Sequence, residues 1–482
     1  MKRIELFNLK KDVFRAFIKS GTSFSRPYQR ENMQRASGAL SAIRKCSTVL
    51  LKENAMKANE LIESIKNGKF DRIFTTLYGK EQISAQRERY LECIEEFSKI
   101  YNSERDMRVF SVSGRSEIAG NHTDHNYGKV LAASINLDII AVVSKNDNGI
   151  VNVKSKGFQM DTVDINDLAK DKYRKSALMI AGVCKGFCER GYKIGGFDAY
   201  TTSNVFKASG LSSSAAFEDM IGTIQNHLYN DGKADCMEIA KIGQYAENEF
   251  YDKPCGLLDQ VACIYGGIVA IDFADPKNPS VEKLDFDLSS YGYNLCIVNT
   301  GGNHSDLTDD YASIPEEMKK VAAFFGKDVL RDVSYNDIIS NAKELREKTS
   351  DRAVCRAIHY ITENARVDKI RDAVKAHDIN GFLQGVTESG NSSFKYLQNV
   401  YTTSNVDEQG LSLALAVAEQ TLIGKPAACR VHGGGFAGTI QVFARDEDVP
   451  ALKSAMDSVF GEGSCVCLTV RPYGGLAVDE MI

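Results

Sequence analysis

The chain contains no run of about 18 apolar residues, so no membrane-spanning helix is expected and a membrane is not an expected partner. Met1 to Lys19 mixes Lys, Arg, Glu and Asp into its apolar positions and lacks the apolar core of a secretory signal, so the expected location is cytoplasmic. Neither charge sign dominates. With 59 basic and 64 acidic residues the net charge is -5, which gives no reason to expect a nucleic-acid partner; substrates must be sought at sites. The twelve cysteines include no C-x-x-C pair. Cys184 and Cys188 lie in a helix-like stretch and Cys465 and Cys467 alternate in a strand-like run, so buried free thiols are expected rather than disulfides or a metal site. Also missing are G-x-x-x-x-G-K-[ST], H-R-D and D-F-G, which excludes a P-loop and the protein-kinase machinery.

What is present is an ordinary globular composition. Of 482 residues, 43% are hydrophobic, enough for sizeable cores and two to four domains. The chain reads as helices up to about Tyr101, including Ala58 to Ile65 and Arg87 to Ile100, with Gly and Pro sparse. After Arg108 short β-rich runs appear at Val109 to Val112, Asp138 to Ser144 and Val151 to Val153. Helical stretches follow at Tyr173 to Arg190 and Ala215 to Asn230, which makes this region α/β. A second domain is expected from Tyr291 or so. It carries helical stretches at Ile314 to Phe325, Ala353 to Thr362 and Val406 to Ile423, and strands at Ala428 to His432, Thr439 to Ala444 and Ser464 to Thr469. The expected division is a helical extension over 1–69, an α/β domain over 70–290 and a second domain over 291–482.

Four segments concentrate polar and glycine residues. Gly210, Leu211, Ser212, Ser213, Ser214 and Ala215 stand directly before a helix-forming stretch, where backbone N–H groups and small side chains suit phosphate oxygens. A serine N-cap is the plainer alternative. Lys207, just before, is either a phosphate contact or a solvated lysine. In Gly120 to Gly128, Asn121, His122 and Asp124 offer the mixed donors and acceptors that a polyol requires, although His122, Asp124 and His125 also have the chemistry of zinc ligands. Glu247 to Gln260 places Asp259 after a Pro-Cys-Gly turn, at which the backbone of Gly256 is free to approach a ligand. Arg115, always ionised, is a natural partner for Asp259. Gly433, Gly434 and Gly435 lie between two β-rich runs and permit close backbone approach, the expected side being that of a nucleotide.

Gly114 to Asn126, Gly210 to Ala216 and Gly433 to Gly438, in that order, resemble the three motifs of the GHMP small-molecule kinases, and the first resembles the sugar-binding segment of the galactokinase branch. The resemblance runs from about residue 70 to 482. It implies an α/β (α+β) fold, with an N-terminal domain like ribosomal protein S5 domain 2 and a ferredoxin-like C-terminal domain. It implies ATP and Mg2+, with Ser214 and Glu247 at the metal, Asp259 as catalytic base and Arg115 beside it. Asn121, His122, Asp124, Gly256 and Tyr311 would meet the sugar. The implied reaction is phosphorylation of the anomeric hydroxyl of galactose or a close relative, a small-molecule sugar partner; the oligomeric state is left open.

Several positions depart from the family pattern Gly-Arg-Val-Asn-Leu-Ile-Gly-Glu-His-Thr-Asp-Tyr-Asn. The family Glu is Asn121 here and the family's earlier Asn is Glu117. That Glu meets the sugar near C6, so a C6- or C2-modified sugar such as galacturonate or N-acetylgalactosamine becomes an alternative substrate. Phe206 to Ser209 replaces a Pro-x-Gly-x stretch, the two arginines after the family Tyr are absent near Tyr311, and His432 and Ala437 replace Thr and Gly. A sensor that binds sugar and ATP without turnover is the rival reading. A kinase for a non-sugar such as mevalonate is opposed by His122-Thr123-Asp124.

Overall fold

The computed structural model describes residues 55–205, 211–253, 255–302 and 307–482, of which residues 56–482 form one compact unit. Lys207 and Gly210, and the expected structure of residues 1–54, lie outside the described residues. The unit starts with three helices, α1 (Ala58–Lys66), α2 (Asp71–Tyr78) and α3 (Ile83–Tyr101). An eight-stranded sheet follows. Its main path is β12-β1-β2-β5-β3-β4, built from β1 (Arg108–Ala119), β2 (Lys129–Lys145), β3 (Ile150–Ser155), β4 (Met160–Asp164), β5 (Phe197–Ser203) and β12 (Gly475–Ala477). β6 (Ile268–Asp272) and β7 (Ser280–Leu284) branch from the first half of β2.

The sheet is buried on both faces, which explains why β1 is buried at every position instead of alternating. On one face Leu61, Phe74, Tyr90 and Phe97 of α1–α3 pack with Ile140, Val142 and Tyr200. The other face meets α4 (Lys175–Glu189), α5 (Ser213–Tyr229), α6 (Cys236–Tyr245) and α7 (Leu258–Tyr265), through Ile180, Ile221, Ile242 and Val261 among others. Asp138, fully buried in β2, ties the helical face to the C-terminus: it accepts from Tyr78, Arg89 and Arg471. Two guanidinium groups and the hydroxyls of Tyr78 and Ser111 compensate its desolvation and hold its carboxyl below the usual range.

A four-stranded antiparallel sheet, β11-β8-β10-β9, is formed by β8 (Tyr293–Asn299), β9 (Ala428–His432), β10 (Thr439–Arg445) and β11 (Cys465–Leu468). The longest helices nearby are α8 (Thr308–Phe324), α11 (Asp351–Lys375), α12 (Ile379–Ser392), α13 (Gly410–Thr421) and α14 (Val449–Phe460), with the shorter α9 (Tyr335–Ser340) and α10 (Ala342–Lys348) before α11. Most of the helical and strand stretches read from the sequence recur here within a few residues at their ends, but α11 runs on past Thr362 to Lys375 and β2 begins at Lys129, well before Asp138. One difference bears on the site: β1 runs on from Val112 to Ala119, straight through the first motif, and is interrupted only by register shifts at Ser113/Arg115 and Glu117/Ala119. Such bulges turn side chains away from the regular alternation. The eleven described cysteines are free, and Cys188 is exposed rather than buried. Among the described residues no helix is long and apolar enough to cross a membrane.

Candidate active site

Asp259 opens α7, the helix N-terminus being a favourable place for a carboxylate. Arg115 reaches it from β1, donating Nη2 at 2.7 Å and Nε at 2.9 Å to Oδ1. Ser212 donates Oγ to the other oxygen at 2.6 Å. Burial pushes the Asp259 carboxyl up, but the Arg115 charge and the bonds from Ser212 and Arg115 outweigh it and hold the group below its ordinary value. The Asp259 side chain is still 34% exposed, so an ionised oxygen pair faces the outside of the fold.

Ser212 occupies the N-cap position of α5 in a left-handed conformation (φ 58°, ψ 52°), a region that non-glycine residues seldom enter. Its side chain does not cap the helix, because the hydroxyl is committed to Asp259. The N-cap alternative is therefore met in position but not in chemistry. The first N–H groups of α5 are left for another acceptor. Ser213 and Ser214 are partly buried in the first turn, and Leu211 accepts a backbone bond from Arg115 at 3.2 Å, joining the first and second motifs.

Glu247 lies in a π-helical turn, Ala246–Phe250, a local widening often found where a side chain must be re-aimed. Its carboxylate receives Lys253 Nζ at 2.5 Å and Ser214 Oγ at 3.2 Å on Oε1, and Gln260 Nε2 at 3.1 Å on Oε2. Gln260 also donates to Glu218 Oε2 at 3.0 Å, while Glu218 Oε1 is buried with no partner. Burial and the nearby Glu247 charge push the Glu218 carboxyl well up. Sequence reading missed Glu218 although it follows the Ser-Ala-Ala run by two residues. Among the described residues no group of three His, Cys, Asp or Glu side chains is placed to hold a metal by itself, which leaves the zinc alternative without support.

The sugar-like segment forms a tight loop whose Thr123 hydroxyl bonds the carbonyls of Gly120 and Lys129. His122 has φ 56° and its Nε2 lies 2.8 Å from the Gly434 carbonyl. A carbonyl only accepts, so Nε2 carries the proton and Nδ1 is an acceptor. Burial, with His125 adding to it, pushes the His122 imidazole down to about 4, so it is neutral at pH 7. Asp124 accepts its neighbour's N–H on Oδ1 at 3.0 Å. Its other oxygen stands against Gly256, where a Cβ would fall 2.6 Å from it.

Two of the expected sugar contacts, Asn121 and Tyr311, hydrogen-bond within the protein in the unliganded fold. Asn121 is 1% exposed, and its amide gives Nδ2 to Glu117 Oε1 (2.8 Å) and to the Gly433 carbonyl (2.7 Å) while Oδ1 accepts Asn399 Nδ2 (2.6 Å). Its hydrogen-bonding groups are thus engaged inside the protein. Tyr311, on α8, donates its hydroxyl to the Gly435 carbonyl at 2.7 Å and sets its ring edge-on to Phe436. The third-motif glycines turn their carbonyls to the sugar-like segment and its supports. Gly435 must be glycine: φ is 86° and a Cβ would lie 2.0 Å from the Asn399 carbonyl. Asn399 and His359, which bonds the Asn121 carbonyl at 2.9 Å, carried no sequence signal.

Residues 95–145 match the galactokinase galactose-binding signature and residues 178–267 match the GHMP kinases N terminal domain. Galactokinase of Streptomyces coelicolor is 30% identical over 370 residues, covering 76% of this chain and 92% of that protein. Galactokinase of Actinobacillus pleuropneumoniae serotype 3 is 32% identical over 364 residues, covering 74% and 90%. The chain belongs to the galactokinase family of GHMP kinases. The Lactococcus lactis galactokinase solved with galactose shares the fold, with a TM-score of 0.67 at 20% identity over 80% of this chain and 98% of that one. A mevalonate kinase also superimposes, at 0.53 and 14% identity over 75% and 98%. Within this family the exchange at 117 and 121 acquires a structural meaning: the carboxylate and the amide have traded places and hydrogen-bond each other.

Proposed function

We propose that the protein transfers the γ-phosphoryl group of ATP to the anomeric hydroxyl of galactose, giving galactose 1-phosphate. The observation that carries this reading is Asp259, one carboxylate held by the Arg115 guanidinium of the first motif and by the Ser212 hydroxyl that opens the phosphate-binding helix. Asp259 would orient the sugar hydroxyl and receive its proton. Because Arg115 and Ser212 make it a weak base, positioning and charge carry more of the rate than proton affinity. Arg115 would steady the charge of the transferring group, and the free N–H groups of α5 would hold phosphate oxygens.

Magnesium fits the residues present. Ser214 Oγ and the Glu247 carboxylate offer adjacent oxygen ligands, and Glu218 keeps an orphaned buried oxygen next to them. They would hold the ion together with phosphate oxygens, and the bound ion would neutralise phosphate charge. Asp124 and the His122 Nδ1 are acceptors for sugar hydroxyls, while Asn121 and Tyr311 support the loop. The substrate is taken as galactose because the relatives that match about three quarters of this chain are galactokinases, while Glu117 and Asn121 belong to the buried support of the loop.

Coupled ADP release over galactose, N-acetylgalactosamine, galacturonate and mevalonate tests the reading, with phosphorus NMR locating the ester. Galactose-dependent ADP and a 1-phosphate are expected. Stabilisation by galactose and ATP without ADP would make the protein a sensor and end the kinase reading.

A further inference from the structure

Far from Asp259 in sequence, three thiols share one face of the smaller sheet. β11 is its edge strand and runs antiparallel to β8, with Cys467 opposite Cys296 and Cys465 opposite Val298. Side chains two apart on a strand point the same way, so Cys465, Cys467 and Cys296 all lie on that face. Cys296 and Cys465 belong to the core formed with Leu452 and Met456 of α14. Cys467 is only partly buried, which makes it the thiol of the three that a small solute reaches.

We propose that Cys467 and Cys296 are an oxidant-sensitive pair that a hydroperoxide closes into a cross-strand disulfide, with Cys465 a bystander. Geometry selects the pair. Directly opposed residues of antiparallel strands have Cα atoms about 4.5–5.5 Å apart, within the range a disulfide spans. The two sulfurs already lie 3.1 Å apart. Cys465 and Cys467 are separated along one strand by roughly 6.6 Å with parallel Cα–Cβ directions, too far for the Cβ spacing of about 4 Å that a bridge needs. Cys465 and Cys296 are diagonal neighbours at about 7–8 Å and are excluded likewise.

The environment assigns the order of events. Thiol hydrogen bonds from Cys296 and Cys465 hold the Cys467 thiol below its ordinary value, with the Lys453 ammonium of α14 acting in the same direction. Those same thiol contacts and burial push Cys296 up. The Cys467 thiolate attacks one peroxide oxygen, the O–O bond breaks, and the departing hydroxide takes up a proton to leave as water. Cys296 sulfur then attacks the Cys467 sulfenic acid: the S–S bond forms, the S–O bond breaks, and the hydroxyl leaves with the Cys296 proton as a second water. Two thiols supply the two electrons that reduce one peroxide. β8 continues into Thr300, whose N–H bonds the Gly438 carbonyl at 2.9 Å, so the bridged strand is the one that abuts the third motif.

The test is hydrogen peroxide treatment of the full-length protein followed by alkylation of free thiols and peptide mapping, on wild type and on Cys296→Ser, Cys465→Ser and Cys467→Ser. Wild type and Cys465→Ser are expected to give a linked peptide pair carrying residues 296 and 467, reversed by dithiothreitol, while the other two variants give none. Wild type yielding no 296–467 link, a link to Cys465, or only sulfinic acid on Cys467 would overturn the proposal. The wild-type map decides even if a serine variant fails to fold.

Discussion

The surroundings of Asp259 and the loop around Asn121 contain similar residue types, yet they use their polar groups in opposite ways. At Asp259 the partners are charged or hydroxylic, the carboxylate stays a third exposed, and a helix N-terminus is left uncapped. Around Asn121 the side-chain amides close on glycine carbonyls and on one another, and the residues are sealed from solvent. The first region is prepared to act on something outside the fold. The second is a scaffold that fixes the shape of the loop carrying His122 and Asp124.

Asp259→Asn strikes the first region and carries the largest expected effect. It keeps the shape but removes the charge that Arg115 and Ser212 hold, so kcat should fall by about 10²–10⁴-fold while ATP affinity, measured by equilibrium titration, changes little. Wild-type-like turnover would remove Asp259 from the site. Arg115→Ala sharpens the same point through pH. Asp259 is depressed in the folded state, so the stability it adds is present above its unfolded pKa and is lost only as pH falls through the lower folded value. Between pH 5 and 8 neither stability nor turnover should respond to this group. Without Arg115 the carboxyl moves up, and the acid limb of kcat/KM should shift to higher pH; an unmoved limb would disconnect the pair.

The scaffold is broken by Asn121→Glu. A carboxylate there meets Glu117 where the amide donated, and it faces the Gly433 carbonyl with no proton to offer. An uncompensated buried charge costs about 3–5 kcal/mol, readable as a lower urea midpoint. Adding Glu117→Asn restores the exchanged pair and should recover most of that loss with galactose turnover intact. A single variant as stable as wild type would mean that the two positions are independent.

The first region was anticipated through the resemblance of its motifs to a known family, and the fold brings Arg115 to Asp259 and Ser214 to Glu247 within hydrogen-bonding distance. Strand and helix positions followed from hydrophobic pattern, as for β9 and α4. The scaffold was not legible. Asn121 reads as a polyol contact, since nothing local reveals that Asn399, some 278 positions away, will occupy its oxygen. The run of β1 through Arg115 to Ala119 was hidden for a related reason: a strand buried on both faces and broken by two bulges shows no alternation. The glycines at 433–435 show that backbone must come close to something, and only the fold shows that it is Asn121, His122 and Tyr311.

A smaller substitution tests where the two regions meet. In Gly256→Ala the new methyl would stand 2.6 Å from Asp124 Oδ2, so either that carboxylate or the turn before Asp259 must move. Overpacking of this kind costs about 1–3 kcal/mol. If Asp124 yields, KM for galactose should rise about tenfold or more with kcat largely kept; a fall in kcat alone would mean that the turn, and with it Asp259, gave way instead.

The finest test is Tyr311→Phe, which leaves the ring on Phe436 and takes away one donor to the Gly435 carbonyl. If the hydroxyl only supports the third-motif loop, the loss is about 1 kcal/mol of stability, with KM for galactose nearly unchanged. If the hydroxyl instead leaves that carbonyl to meet the sugar during turnover, KM rises severalfold while the urea midpoint hardly moves. The two readouts separate a support from a contact: the single O–H of Tyr311 is committed to the Gly435 carbonyl at 2.7 Å, in a turn that only glycine can adopt, which leaves the phenol oxygen to meet a sugar hydroxyl as an acceptor alone.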